Sequence, residues 1–241
     1  MVAKRYLIVN ADDFGQSHDI NRGVILSYEQ GIVTSASLMV RQPAAFEAAA
    51  YSRHKPDLSV GIHFDFGEWA YRHDTWVPLY EVVSMDDKTA VKNEICGQLT
   101  AFRDLVGRDP THIDSHQHAH RKKPVSSILL RLAQQLGVPL RHHSPLVTYC
   151  GSFYGQSGNG QPFPEPITVE GLIGILKTLG GGITELSCHP GRGNDFESMY
   201  LNERAREVRV LCDPRIRAAI VSENIELRSF QSLRPMLVKY R

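Results

Sequence analysis

Two adjacent carboxylates, Asp12 and Asp13, stand directly after the short apolar run of residues 5–10. That run is rich in β-branched and aliphatic residues and predicts a buried strand. Phe14-Gly15 behind the pair is a turn signal. Like charges this close raise one pKa unless a cation neutralises one of them. The pair therefore suggests two jobs: one carboxylate on a metal ion, the other as a base. Three histidine-bearing clusters follow at the ends of later predicted strands. They are His63 within residues 61–64, the alternating series His112, Asp114, His116, His118 and His120, and Cys188-His189-Pro190-Gly191. On a strand, alternate positions share one face, and a face made only of His and Asp is not a hydrophobic core. Asp and His donors from separate strands suit a borderline divalent ion such as Zn²⁺, Co²⁺ or Ni²⁺, with Mg²⁺ and Mn²⁺ also open. Each cluster alone has a plainer reading. A strand-end histidine is usually a hydrogen-bonded core or surface residue, His-Pro-Gly is a plausible turn, and Asp-Asp is more often a loop or cap. Their recurrence at equivalent strand ends favours a metal or acid–base site.

The elements that must position these residues alternate in type. Strands are expected at 5–10, 34–40, 58–64, 111–116, 138–141 and 183–188, with a short last one at 225–227. Helices are expected from Ser17 or Asp19 to Gln30, from Pro43 to His54, over 88–106, from Pro124 to Leu136, and from Thr168 to about Leu179, followed by two short helices around Pro214. Residues 65–87 and 144–166 show no clear period and are expected to be long loops. Strand–helix alternation without repeats implies mainly parallel strands and crossover helices. Both long loops then follow strands, at the end of the sheet where such folds build sites.

Composition limits the rest. The 241 residues, 42% hydrophobic, suffice for one full core, so a single domain over 1–241 is expected. A net charge of +1 gives no electrostatic footprint for nucleic acid. Cys96, Cys150, Cys188 and Cys212 form no Cys-x-x-Cys pair and suggest reduced thiols in a cytoplasmic protein. No signal peptide or membrane span is expected. Asp13-Phe14-Gly15 matches the kinase metal-binding tripeptide, but no glycine-rich or His-Arg-Asp loop precedes it. No Gly-x-Ser-x-Gly elbow exists.

Asn10-Ala11-Asp12-Asp13-Phe14-Gly15, Gly61-Ile62-His63-Phe64, residues 111–120 and residues 185–191 together resemble the signature blocks of the YdjC-like carbohydrate deacetylases, in the family's order. The resemblance implies an α/β fold, a distorted (β/α) barrel related to the polysaccharide deacetylases. It implies one divalent metal ion, Mg²⁺ or Zn²⁺ with Co²⁺, Ni²⁺ or Mn²⁺ open, held by Asp13, His63 and His116. It places the catalytic base on Asp12 and a general acid or oxyanion partner on His189. An N-acetylated sugar or oligosaccharide would be the substrate. A homodimer is left open.

On that reading Asp12 takes a proton from the attacking water and His189 gives one to the leaving amine. His118 and His120 would orient ligands, with His118 an alternative to His116, and Asp114 would orient a histidine. Trp69, Tyr71, Trp76 and Tyr154 are candidates for stacking on sugar faces, or for ordinary loop packing. The rival readings are a two-carboxylate glycoside hydrolase, a metal-dependent phosphohydrolase, and a sugar- or metal-binding protein without turnover.

Overall fold

The first strand is the axis of the molecule because it is apolar enough to be buried on both faces. Leu7, Ile8 and Val9 are all inaccessible to solvent. In this computed structural model, which describes residues 4–193, 195 and 198–238, β1 (Arg5–Phe14) pairs along its length with β8 (Gly182–Cys188). On its other side it pairs with β9 (Ile225–Leu227) near its start and β2 (Ser35–Leu38) near its end. The sheet continues through β3 (Ser59–Phe64) to β6 (Ile113–Ser115) on one flank and from β8 to β7 (Val147–Cys150) on the other. Every pairing in this seven-stranded sheet is parallel. The sheet curls into an incomplete, distorted barrel, with a single parallel bridge from Ile113 to Leu140 beyond its β6 edge.

Helices cross between the strands as the alternation requires: α1 (His18–Glu29), α2 (Ala45–His54), α3 (Lys88–Val106), α4 (Val125–Leu136), α5 (Val169–Thr178), α6 (Asn202–Leu211) and α7 (Pro214–Ser222). Ser17, Asp87 and Thr168 cap the starts of α1, α3 and α5 through side-chain oxygens. Leu7, Val9 and Ala11 face the main core against the helices. The other face of β1 carries Ile8, which packs with Val147, Ile183, Phe230 and Leu233 and closes one end of the barrel. Phe230 and Leu233 belong to a final helix, α8 (Phe230–Val238), that was not anticipated. Asn10 and Asp12 continue that inward face towards the open end.

Three expectations differ from the structure. Residues 65–87 are not a loop: β4 (Gly67–Arg72) and β5 (Thr75–Glu81) form an antiparallel hairpin. Its turn, His73-Asp74, has both residues at positive φ (51° and 61°), the requirement of a tight primed turn, met here without the usual Asn-Gly. Residues 138–141 are not a strand, apart from the one bridge at Leu140. The strand on the far flank is β7, inside the segment expected to be a loop. The series His112 to His120 is not one strand face. β6 stops at Ser115, and the turn His116–Arg121 has Gln117 and His118 at φ 45° and 55°, which redirects the chain.

Candidate active site

The inward face of β1 delivers both carboxylates to one cavity because the strand is bulged there. Its register with β2 slips between Ala11 and Phe14, and Asp13 lies at φ 63°. An extra residue in the left-handed region re-aims side chains that would otherwise alternate, and Asp tolerates that region better than most residues. Asp12 and Asp13 therefore line the same cavity of about 320 Å³, a small-molecule volume.

Around Asp13 three elements converge. His63 Nε2 lies 3.3 Å and His116 Nδ1 3.1 Å from Asp13 Oδ1. One donor atom from each of the three residues falls within 4.8 Å of the others, and all three residues are buried. His63 is oriented from behind, its Nδ1 2.7 Å from Asp114 Oδ1, which leaves Nε2 for the cavity. That arrangement needs β3 and β6 side by side, with His63 opposite Asp114 in register. Gly61 keeps them close: a Cβ there would lie 2.5 Å from the His112 ring. His112 itself is structural. It stacks on Phe230 at 3.9 Å, and burial pushes it down to about 4.

Asp12 has a different environment. Arg141 grips it with two nitrogens, at 2.6 and 2.8 Å, and Asn10 Nδ2 donates to Oδ1 at 2.8 Å. The same guanidinium reaches Asp114 at 2.8 Å and Glu185 at 2.6 Å. Burial would raise Asp12, but Arg141 outweighs it and holds the carboxyl below its ordinary value. Burial likewise opposes ionisation of Asp13, and Arg204, 2.6 Å from Oδ2, keeps it well below the usual range. Glu185, where burial dominates, is pushed up to about 7. Burial also opposes protonation of His63, but Asp114 and Asp13 push it up to about 10. The carboxylates of this floor outnumber its guanidiniums, so the site has a standing demand for positive charge. The raised His63 reflects that demand, and a divalent ion would answer it better. His116 Nε2 is buried without a hydrogen-bond partner. The donor set fits such an ion.

His189 approaches from the turn after β8, with Nε2 3.8 Å from Asp12 Oδ2. Its backbone N–H donates to Glu207, its carbonyl accepts from Arg204, and the rings of Tyr154 and Tyr200 flank it edge-on. Burial pushes it down to about 4. The turn packs directly on α1: a Cβ on Gly23 would lie 2.4 Å from the Gly191 Cα.

The structure thus gathers Asp12, Asp13, His63, His116 and His189, while His120 turns away from the cavity and His118, in its wall, joins His120 in another group. It also adds Arg141, Arg204, Glu68 and Glu207, which sequence reasoning missed. Glu68 stands 3.8 Å from His116 Nε2. Arg141 carried one legible signal, a lone charge closing the apolar run 138–140. Arg204 sits among several Arg and Glu residues of α6, and nothing in the sequence separates it from them. Trp69, Trp76 and Tyr154 line the cavity, and Tyr71 packs edge-on against Trp76 at 5.6 Å.

A family model described as YdjC-like protein matches residues 6–222. The chain belongs to the YdjC-like family. It is 32% identical over 248 residues to a carbohydrate deacetylase of Geobacillus stearothermophilus, covering 94% of this chain and 97% of the relative. It is 33% identical over 260 residues to a chitooligosaccharide deacetylase of Serratia marcescens, covering 95% and 100%. Among solved structures, an Enterococcus faecalis V583 protein for which cellobiose-phosphate cleavage has been suggested superposes with a TM-score of 0.76 at 25% identity, over 96% and 99% of the two chains. A family 4 acetyl xylan esterase from Clostridium thermocellum, solved with a cobalt ion, superposes at 0.55 with 12% identity, over 96% and 91%. The fold is that of the polysaccharide deacetylases, a distorted barrel, as the YdjC-like resemblance implied.

Proposed function

We propose that this YdjC-like protein is a metal-dependent carbohydrate N-deacetylase that hydrolyses the acetamide of an amino sugar to acetate and a free amine. The observation that carries the reading is the division between the two adjacent carboxylates: Asp13 converges with His63 and His116, while Asp12 is held by Arg141 and faces His189. The relatives named carbohydrate and chitooligosaccharide deacetylases support the substrate class.

Asp13, His63 and His116 would hold the ion, and a divalent cation supplies Lewis acidity to water and to an amide carbonyl when bound. Asp12, kept ionised by Arg141, orients the attacking water and accepts its proton. Its bidentate grip fixes the carboxylate, so the proton has a defined acceptor. His189 begins neutral and has to gain a proton during turnover. With Nε2 3.8 Å from Asp12 Oδ2, it can receive that proton and pass it to the leaving nitrogen, which departs poorly without one. Glu207 and Arg204 hold the backbone of His189 in place from both sides of the peptide. Trp69, Trp76 and Tyr154 offer apolar faces to a sugar ring. Among the described residues, no helix is long and apolar enough to cross a membrane, and the reduced thiols support a cytoplasmic site of action.

The test is chelation followed by re-addition of Zn²⁺, Mg²⁺ or Co²⁺, with acetate release measured over N-acetylated mono- and oligosaccharides and a phosphorylated disaccharide in the same panel. Acetate release that disappears with the chelator and returns with an ion is expected. No acetate from any N-acetylated sugar, or turnover indifferent to chelation, would overturn the proposal.

A further inference from the structure

Among the histidines outside the Asp13 group, three meet one another. His118 and His120 leave β6 through the turn His116–Arg121, and His142 follows Arg141. Their ring centroids lie 5.5 Å (His118 to His120), 5.2 Å (His118 to His142) and 5.4 Å (His120 to His142) apart. One ring nitrogen from each lies within 4.8 Å of the other two. His118 Nδ1 and His120 Nε2 are both buried and have no hydrogen-bond partner. Their opposite nitrogens are tethered: His118 Nε2 is 3.4 Å from the Tyr149 hydroxyl, and His120 Nδ1 is 2.8 Å from Ser115 Oγ. One ring nitrogen held from behind and the other free is the arrangement that prepares a histidine as a ligand.

The backbone reinforces this. His118 and His142 sit at φ 55° and 65°, a region that residues with a Cβ rarely adopt and that clusters at ligand clamps. Ordinary packing gives no reason to hold two such residues against a third, buried histidine.

We propose that His118, His120 and His142 form a second metal site, separate from Asp13, His63 and His116, which takes a borderline transition ion such as Zn²⁺. Three imidazoles and no carboxylate suit Zn²⁺, Cu²⁺ or Ni²⁺ and not Mg²⁺, which demands oxygen donors. His142 is exposed, so a further coordination position opens to solvent, as in three-histidine zinc sites that keep a water. His118 also lines the active-site cavity, so the ion would sit in the wall of that cavity.

The experiment is metal analysis after equilibrium dialysis against Zn²⁺, applied to the wild type, Asp13→Asn and His142→Asn. Asparagine is chosen at 142 because it tolerates a left-handed backbone; a thermal melt of each variant accompanies the metal count. The expected result is two zinc ions per chain in the wild type and one in each variant. X-ray absorption of zinc-loaded Asp13→Asn should show a shell of imidazole nitrogens. One zinc in the wild type that survives His142→Asn, two zinc ions in His142→Asn, or a carboxylate-dominated shell would overturn the proposal. One zinc lost in His142→Asn and kept in Asp13→Asn would support this site while removing the Asp13 site on which the proposed function rests.

Discussion

The cavity has a floor and a rim held in opposite ways. On the floor, Asp12, Asp13, Asp114 and Arg141 are all almost inaccessible, and every one has several charged partners. On the rim, the β4–β5 hairpin leaves Trp76 49% exposed. The hairpin meets the turn after β6 through two side chains: Trp69 N–H donates to Gln117 Oε1 at 3.0 Å, Gln117 Nε2 donates to the Trp69 carbonyl at 2.8 Å, and Glu68 Oε2 stands 3.8 Å from His116 Nε2. Buried charges need complete partners, so the floor admits few substitutions. The exposed part of the rim around Trp76 can change shape without disturbing the charges beneath it. On the proposed function, reaction chemistry belongs to the floor and substrate choice to the rim, and mutations should separate them.

The largest effect should come from splitting the carboxylate pair. Asp12→Asn should lower kcat by about 10²–10⁴-fold, the usual range for general acid–base catalysis, while bound metal is kept. Asp13→Asn should lose the metal at the Asp13 site and turnover together. Measuring kcat and metal content on both variants checks this. If the two behave alike, the floor does not divide its work between neighbouring residues.

Next in size is the guanidinium that serves three carboxylates. Arg141→Met leaves Asp12, Asp114 and Glu185 facing one another in a buried space. Breaking a buried ion pair by removing one partner costs about 3–5 kcal/mol, so denaturant unfolding should show a loss of that order. A variant of near wild-type stability would mean the floor is less closed than its burial indicates.

How far the sequence reached follows the same division. Asp12, Asp13, His63, His116 and His189 were legible as a group because each sits at or just beyond the C-terminal end of a strand, where parallel pairing brings separate segments to one level. Arg141 offered only its place at the end of an apolar run and Arg204 offered nothing, because their importance lies in what they neutralise, and that is a property of the assembled interior. The hairpin was missed because its strands are half exposed, β5 contains Pro78, and the turn residues His73-Asp74 carry no glycine. The apolar run at 138–141 met the criteria for a strand and makes only one bridge. β7, pairing on one side only with β8, carries Thr148 and Tyr149 and had no clear pattern. The left-handed pair Gln117-His118, which splits the histidine series into two groups, has no sequence signal at all.

A smaller effect lies in the layer behind His189. Burial pushes Glu207 up to about 8, above its ordinary carboxylate value. Its folded form therefore binds a proton more readily than its unfolded form. The stability this confers is full below the ordinary value and is lost as pH rises through about 8. Unfolding free energy should fall between about pH 5 and 8, by an amount on the order of a few kcal/mol. Glu207→Gln, which cannot titrate, should flatten that slope. An unchanged pH profile in the variant would assign the slope elsewhere, first to Glu185.

The smallest effect, and the one that tests the rim directly, is expected from Trp76→Ala. Trp76 is exposed, sits edge-on against Tyr71 and lines the cavity mouth beside Trp69. Removing an aromatic face that stacks on a sugar costs roughly 1 kcal/mol, or several-fold in KM, and leaves kcat unchanged because the contact is equal in ground and transition states. The loss should grow with oligosaccharide length if Trp76 holds a sugar beyond the one being deacetylated. A fall in kcat with KM unchanged would place Trp76 in the chemistry, and floor and rim would then be one functional unit.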